Sequence, residues 1–97
     1  MKKEIYIFEV SEKSFSSSVL LNSNRLPVVV EFMSVWSEPC IAMTDIFSDL
    51  ATEFASQFIF ARVNVDEQPA LREQYKIENV PILLVFKNGQ VARQEVG

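Results

Sequence analysis

The order of hydrophobic and polar positions along this chain predicts strands that alternate with helices. Two stretches, Pro27 to Met33 and Phe58 to Val65, have the length of strands and are mostly apolar. Parallel strands that are covered on both faces carry such runs. A shorter strand is predicted at Ile5 to Phe8. We therefore expect a sheet whose central strands are buried on both sides.

Three stretches between and around these strands predict helices. Apolar residues recur at helical spacing from Pro39 to Ala55. Ser11 is a suitable N-cap for an earlier helix that reaches about Leu21. Asp66 is a suitable cap for a later helix with Pro69 in its first turn. The residues expected to face the core are Met43, Ile46, Phe47, Leu50 and Phe54 in the longest helix, Phe15, Val19 and Leu20 in the first, and Leu71 and Tyr75 in the last.

The last third of the chain carries a strong hairpin signal. Asn88 and Gly89 separate the apolar stretch Ile82 to Phe86 from the stretch Gln90 to Glu95. An Asn-Gly pair between two strands is typical of a tight antiparallel hairpin. The predicted order is βαβαβαββ, which is an α/β fold with a mixed central sheet flanked by helices.

The composition indicates one globular domain. The chain has 97 residues, of which 48% are hydrophobic and 23% are charged, as expected for a single folded unit. Nine Lys and Arg against thirteen Asp and Glu give a formal net charge of −4, so no nucleic-acid or anionic-membrane partner is predicted. No apolar run approaches the roughly 20 residues of a membrane span. We expect one domain over residues 1–97, in the cytoplasm.

The residue types exclude several kinds of site. The chain contains no histidine and one cysteine. Without histidine it can form neither a Ser-His-Asp triad nor a Cys-His pair. One cysteine cannot form an internal disulfide or a cysteine-rich zinc site, and the lack of disulfides agrees with a reducing compartment. Neither a metal nor a cofactor is predicted.

A short motif follows the second predicted strand, immediately before the longest helix. It reads Trp36-Ser37-Glu38-Pro39-Cys40. In this position the chain resembles the thioredoxin family, which carries Trp-Cys-Gly-Pro-Cys. The likeness covers most of the chain, since it includes Pro27 to Cys40 and Phe60 to Gly97. The second stretch carries, in order, Arg62-Val63-Asn64-Val65-Asp66, Val80-Pro81 and Phe86-Lys87-Asn88-Gly89-Gln90. The resemblance implies a thioredoxin-like fold.

A narrower resemblance is to the amino-terminal domain of chaperedoxin, a thioredoxin-like domain followed by tetratricopeptide-type repeats. The points of likeness are the Ser-x-x-Cys form at Ser37 to Cys40, Met43-Thr44, and Gln57-Phe58-Ile59. The family fold has one more helix after the residue that matches Gly97. The resemblance therefore implies that the final family helix is missing from this chain, and that the parent protein is longer, with a fused carboxy-terminal helical-repeat region.

By resemblance, Ser37 takes the place of the attacking cysteine, and Cys40 that of the resolving cysteine. A serine hydroxyl has no accessible anion near neutral pH, so the dithiol cycle should be absent. Two interpretations of Cys40 remain open: a thiol that forms mixed disulfides with clients, or a small buried hydrophobe. The helix start favours the thiolate, and Glu38 opposes it. Ser37 itself is either a helix N-cap without a chemical role or a natural or engineered replacement of cysteine.

Four residues form the substrate-binding surface that the resemblance implies. Val80-Pro81 matches the loop with a cis-proline that faces the motif, where the residue before proline offers its backbone to an extended substrate. Pro81 would otherwise be an ordinary first residue of a strand, but the resemblance implies that the Val80–Pro81 bond is cis. Trp36 is either a core aromatic or the flat floor of the same surface, which Pro39 adjoins.

Glu31 is the one charged residue within the second predicted strand. On pattern alone it would face solvent. The family has a buried acid here that serves the second cysteine as a proton relay, and Arg62 replaces the lysine of the neighbouring strand. We expect Glu31 and Arg62 to form a buried structural ion pair, because a proton relay has little to serve without the attacking cysteine.

The predicted function is a protein-docking or chaperone-type module for extended or unfolded protein clients. The alternative is a protein-disulfide oxidoreductase, a thioredoxin of cell redox homeostasis, whose first cysteine is replaced. A third possibility is a purely structural domain in a larger assembly. As written, the chain is at most a monothiol exchange protein.

Overall fold

The computed structural model describes residues 7–96 of the chain. Its strands are β1 (Ile7–Glu9), β2 (Val28–Met33), β3 (Ile59–Asn64), β4 (Ile82–Lys87) and β5 (Gln90–Val96), and its α-helices are α1 (Glu38–Glu53) and α2 (Pro69–Gln74). The five strands form one sheet in the order β1-β3-β2-β4-β5. The first three strands along the chain run parallel to one another, whereas β4 pairs antiparallel with both β2 and β5. This is the α/β fold with a mixed sheet that the pattern predicts.

The first predicted helix is irregular, and the assigned helix begins at Ser16 rather than directly after Ser11. Residues 12–14 form a turn, and a π-helix follows at Ser16–Leu21, with a 3₁₀ turn at Asn22–Asn24. Ser11 caps the turn that precedes the π-helix. The backbone N–H of Ser11 donates to Ser14 Oγ at 3.0 Å, and that of Ser14 donates to Ser11 Oγ at 3.2 Å. This reciprocal pair is the hydrogen-bond pattern of a capping box. The backbone N–H of Phe15 also donates to the Ser11 carbonyl at 2.9 Å, so the turn leads into the helical segment.

Two cores lie on opposite faces of the sheet. The aromatic face, named for Phe15, Phe32, Tyr75 and Phe86, packs under the first helical segment and α2. Its ring centroids lie 5.4 to 6.0 Å apart, a spacing at which aromatic pairs attract. The α1 face is smaller and is built on Phe47, Ala51 and Phe60, with half-buried apolar side chains around them.

One residue predicted to face this smaller core lies outside it. Ile46 is 54% exposed, whereas Phe47 is fully buried. Successive helix residues are rotated by about 100°. The buried stripe of α1 is centred near Phe47, so that Ile46 lies at its edge.

The cap of α2 also differs from the prediction. Gln68, rather than Asp66, is the N-cap residue, and its side chain makes no capping hydrogen bond. A distant carboxylate satisfies the helix start instead, because the backbone N–H of Ala70 donates to Glu12 Oε2 at 2.7 Å. Acidic groups at a helix N-terminus stabilise it through the exposed N–H groups and the helix dipole.

The hairpin between β4 and β5 is anchored to the first quarter of the chain. Asn88 and Gly89 both have positive φ, at 54° and 79°, as a tight turn of the predicted type requires. The backbone N–H of Gly89 donates to Ser23 Oγ at 2.7 Å, and that of Asn88 donates to the Ser23 carbonyl at 3.0 Å. Ser23 is 2% exposed, so the turn is hydrogen-bonded to a buried residue.

Candidate functional site

The motif lies at one end of the sheet, where β2 and β3 both finish. These two strands are parallel neighbours, so their carboxyl ends share an edge. The antiparallel strand β4 begins at the same edge, since Phe32 pairs with Ile82. The topology therefore brings together the loop of residues 34–37, the residues after β3, and the Val80–Pro81 loop.

The loop after β2 presents a strongly exposed aromatic side chain. Trp36 is 84% exposed, and Val35 and Ile41 are 53% and 62% exposed. Pro39 is also exposed. Trp36 lies on the surface rather than in either core, so most of its side chain is accessible to a partner.

The Val80–Pro81 peptide bond is cis. Pro81 is buried, and Val80 is half-buried against the aromatic face. Of the two residues predicted to contact a substrate here, only Val80 retains exposed surface. A substrate contact at this loop would therefore involve Val80 and backbone atoms.

Ser37 is the N-cap of α1. Its backbone is extended, with φ −92° and ψ 121°, and Pro39 occupies the first turn of the helix. The backbone N–H of Cys40 donates to Ser37 Oγ at 3.4 Å. This is the capping role that the sequence predicts, and it satisfies one of the free N–H groups at the helix start.

Cys40 is buried within the first turn of α1. The residue is 2% exposed, and its Sγ accepts a hydrogen bond from the backbone N–H of Ser34 at 3.4 Å. A sulfur without solvent access cannot meet the disulfide of a client unless the site opens. Burial thus favours the interpretation of Cys40 as a structural residue.

Glu31 and Arg62 form an ion pair on the α1 face. Glu31 is 1% exposed, and Arg62 Nε donates to its Oε1 at 2.9 Å. The guanidinium group also lies 5.8 Å from the centroid of the Phe47 ring and 3.9 Å from Glu9 Oε1. The two residues are direct neighbours in the register of β2 and β3. A buried carboxylate with a dedicated cation is consistent with a structural role.

Two residues at this edge were not singled out as site residues by the sequence. Ser34 is 8% exposed, and its Oγ donates to Asp66 Oδ2 at 2.5 Å. The same Oγ accepts from the backbone N–H of Trp36 at 3.3 Å. Ser34 directly follows β2, and Asp66 lies just after β3. Polar residues after two neighbouring parallel strands are the signal that would have located them.

Comparison with known proteins identifies the family. A family model described as thioredoxin matches residues 6–97. Thioredoxin from Acidithiobacillus ferridurans is 38% identical over 91 residues, which cover 94% of this chain and 82% of that protein. The chain belongs to the thioredoxin family. Thioredoxin from Chlorobaculum thiosulfatiphilum is 36% identical, over 93% of this chain and 82% of the relative. Thioredoxin 2 from Chlorobaculum tepidum is 34% identical, over 93% and 81%.

Thioredoxin membership confirms the resemblance and supports a redox role in general terms. The chain contains one cysteine, however, so an intramolecular dithiol cannot form. The narrower likeness to chaperedoxin stays a prediction. Among residues 7–96, no helix is long and apolar enough to cross a membrane, and no group of three or more acidic, cysteine or histidine side chains is placed to hold a metal ion.

Proposed function

We propose that this domain binds extended or unfolded polypeptide segments at the surface of Trp36, Pro39 and Val80, with Pro81 as its buried support. In this proposal the domain is a docking or chaperone-type module of the cytoplasm. The observation that carries it is the 84% exposure of Trp36 beside a motif whose attacking position is serine.

The exposed side chains favour binding of protein. Large apolar residues that lie together on a surface indicate an interaction site, and tryptophan is prominent among the residues that dominate binding energy. Val35, Trp36 and Ile41 are all more than half exposed and lie within seven positions of the chain. An extended peptide can place apolar side chains on this strip while its backbone meets the Val80–Pro81 loop.

The chemistry of the motif argues against disulfide exchange. Exchange begins when a thiolate attacks a disulfide sulfur and one thiolate of the client leaves. Ser37 offers a hydroxyl that already accepts a hydrogen bond from the helix start, and Cys40 is buried. Docking needs neither group to react, so the proposal holds for the chain as it stands.

Substitution of Trp36 tests the proposal directly. Binding of a permanently unfolded protein, such as reduced and carboxymethylated lactalbumin, is measured by calorimetry. We expect Trp36→Ala to weaken binding by about tenfold or more, because it removes a central contact. The matched control is Leu21→Ala, which removes a side chain of similar exposure, 64%, from another segment. Equal affinities for the wild type and Trp36→Ala would contradict the proposal.

The alternative function is a disulfide oxidoreductase whose first cysteine is replaced. Family membership favours it, and so does the position of Ser37 at the helix start, where a thiolate would be stabilised. In Ser37→Cys, the introduced thiolate would attack a client disulfide. Cys40 would then displace the client as its dithiol and form an intramolecular disulfide with the introduced cysteine. Turnover of insulin disulfides by this variant, with thioredoxin reductase and NADPH, would support the alternative. Turnover by the unmodified chain would refute the docking proposal's claim that disulfide exchange is absent.

A further inference from the structure

Ser34 connects three parts of the candidate site through hydrogen bonds. Its Oγ donates to Asp66 Oδ2 at 2.5 Å and accepts from the backbone N–H of Trp36 at 3.3 Å. Its own backbone N–H donates to Cys40 Sγ at 3.4 Å. The residue is 8% exposed, so these contacts are largely shielded from water. Ser34 therefore links the end of β3 and the exposed aromatic through its side chain, and the start of α1 through its backbone.

The bond to Asp66 gives the hydroxyl a fixed orientation. A hydroxyl has one donor and two acceptor positions. A carboxylate is the stronger acceptor because its charge assists the bond. With the proton committed to Asp66, the oxygen lone pairs of Ser34 are available to the N–H of Trp36. Asp66 is itself held, since its backbone N–H donates to Asn64 Oδ1 at 3.0 Å.

We infer that Ser34 is the positioning residue of the docking surface, with Asp66 as its acceptor. The inference rests on the proposed function, because it explains how the backbone of an 84% exposed tryptophan can be held in one conformation before a partner binds. A surface loop loses conformational freedom when it binds, and this loss lowers affinity. Hydrogen bonds that fix the backbone of Trp36 in the free protein reduce that loss. The partner is the same extended polypeptide segment.

Four variants separate this role from general stability. Ser34→Ala removes the hydroxyl and both of its bonds, whereas Ser34→Thr keeps a hydroxyl. Asp66→Ala removes the acceptor, whereas Asp66→Asn keeps an oxygen that can accept. Affinity for the unfolded-protein probe should fall about three- to tenfold in the two alanine variants. The threonine and asparagine variants should lose clearly less.

Amide exchange at Trp36 supplies a local readout. In the wild type the Trp36 N–H is bonded to Ser34 Oγ, so its exchange with solvent should be slowed. In Ser34→Ala this amide should exchange at least about fivefold faster, while amides of the β2 and β3 ladders keep their protection. A general structural role would instead accelerate the ladder amides together with that of Trp36.

The outcomes distinguish the inference from the proposed function. Unchanged affinity and unchanged Trp36 exchange in Ser34→Ala would overturn the inference, as would a uniform loss of protection. If the wild type binds no unfolded protein, the proposed function fails, whereas the exchange measurement still decides whether Ser34 fixes the loop. If Ser34→Ala does not fold, Asp66→Ala carries the test, because Asp66 is exposed and its removal leaves both cores intact.

Discussion

The two faces of the sheet differ in how completely their side chains are buried. The aromatic face is covered by the first helical segment and α2, and most of its side chains are below one-tenth exposure. The α1 face is covered by one long helix, and its hydrophobic cluster has three buried members among residues 7–96, surrounded by half-buried side chains. Adjacent residues of β4 show the contrast, since Leu84 on the aromatic face is 3% exposed and Leu83 on the α1 face is half-buried.

The difference indicates where stability and function lie. The helix α1, which is capped by Ser37 and contains Cys40, belongs to the α1 face with its smaller core, and so does the Glu31–Arg62 pair. The aromatic face contains neither the motif helix nor a buried ion pair among residues 7–96. We infer that packing on the aromatic face supplies most of the free energy of folding. The α1 face, which contains the site, contributes less.

The sharpest test uses the two leucines of β4. Leu84→Ala should lower the free energy of unfolding by about 3 kcal/mol, because a fully packed leucine leaves a cavity. Leu83→Ala should lower it by only about 1 kcal/mol, since water can reach its site. Urea denaturation followed by circular dichroism measures both, and each variant is the other's control. Equal losses would show that the faces contribute alike.

The second test concerns the ion pair of the α1 face. Arg62→Met leaves Glu31 buried without its cation and should lower the free energy of unfolding by about 2 kcal/mol at pH 7. This lies below the roughly 3–5 kcal/mol of fully buried pairs, because the Arg62 side chain is 19% exposed. Replacement of both partners, Glu31→Leu with Arg62→Met, should recover most of the loss. A double variant less stable than Arg62→Met would show that the charges themselves stabilise this face.

The third and smallest effect is a pH dependence on the aromatic face. Burial raises the pKa of Tyr75 above its usual value of 10. The unfolded chain therefore ionises this phenol more readily than the folded one. Its contribution to stability is fully present below pH 10 and is lost as the pH rises through the folded pKa. Tyr75→Phe should show a shallower loss of stability between about pH 9 and 11 in urea denaturation, and parallel curves would refute the assignment.

Much of the fold follows from local pattern. The strands and the hairpin were predictable because apolar runs and the Asn88-Gly89 turn are local signals. The cap of α2 was not, because Glu12 reaches Ala70 across 58 positions of the chain. Ile46 was placed inward because spacing alone cannot locate the edge of a buried stripe.

The candidate site was predictable in part for the same reason. The N-cap role of Ser37 depends on its immediate neighbours, so the sequence indicates it. The bond between Ser34 and Asp66 joins residues 32 positions apart, and it exists only because β2 and β3 are parallel neighbours. Such a contact becomes visible once the strand order is known.

The anchor at Ser23 has a consequence for the order in which the protein assembles. Its partner Gly89 lies 66 positions later, so the ribosome adds Ser23 to the chain long before the turn that contains Gly89. The edge strand β5 can join the sheet only after β4 is made. The turn between β4 and β5 then binds to the segment around Ser23, which has been synthesised earlier. We expect this junction to be among the last contacts of this sheet to form during synthesis.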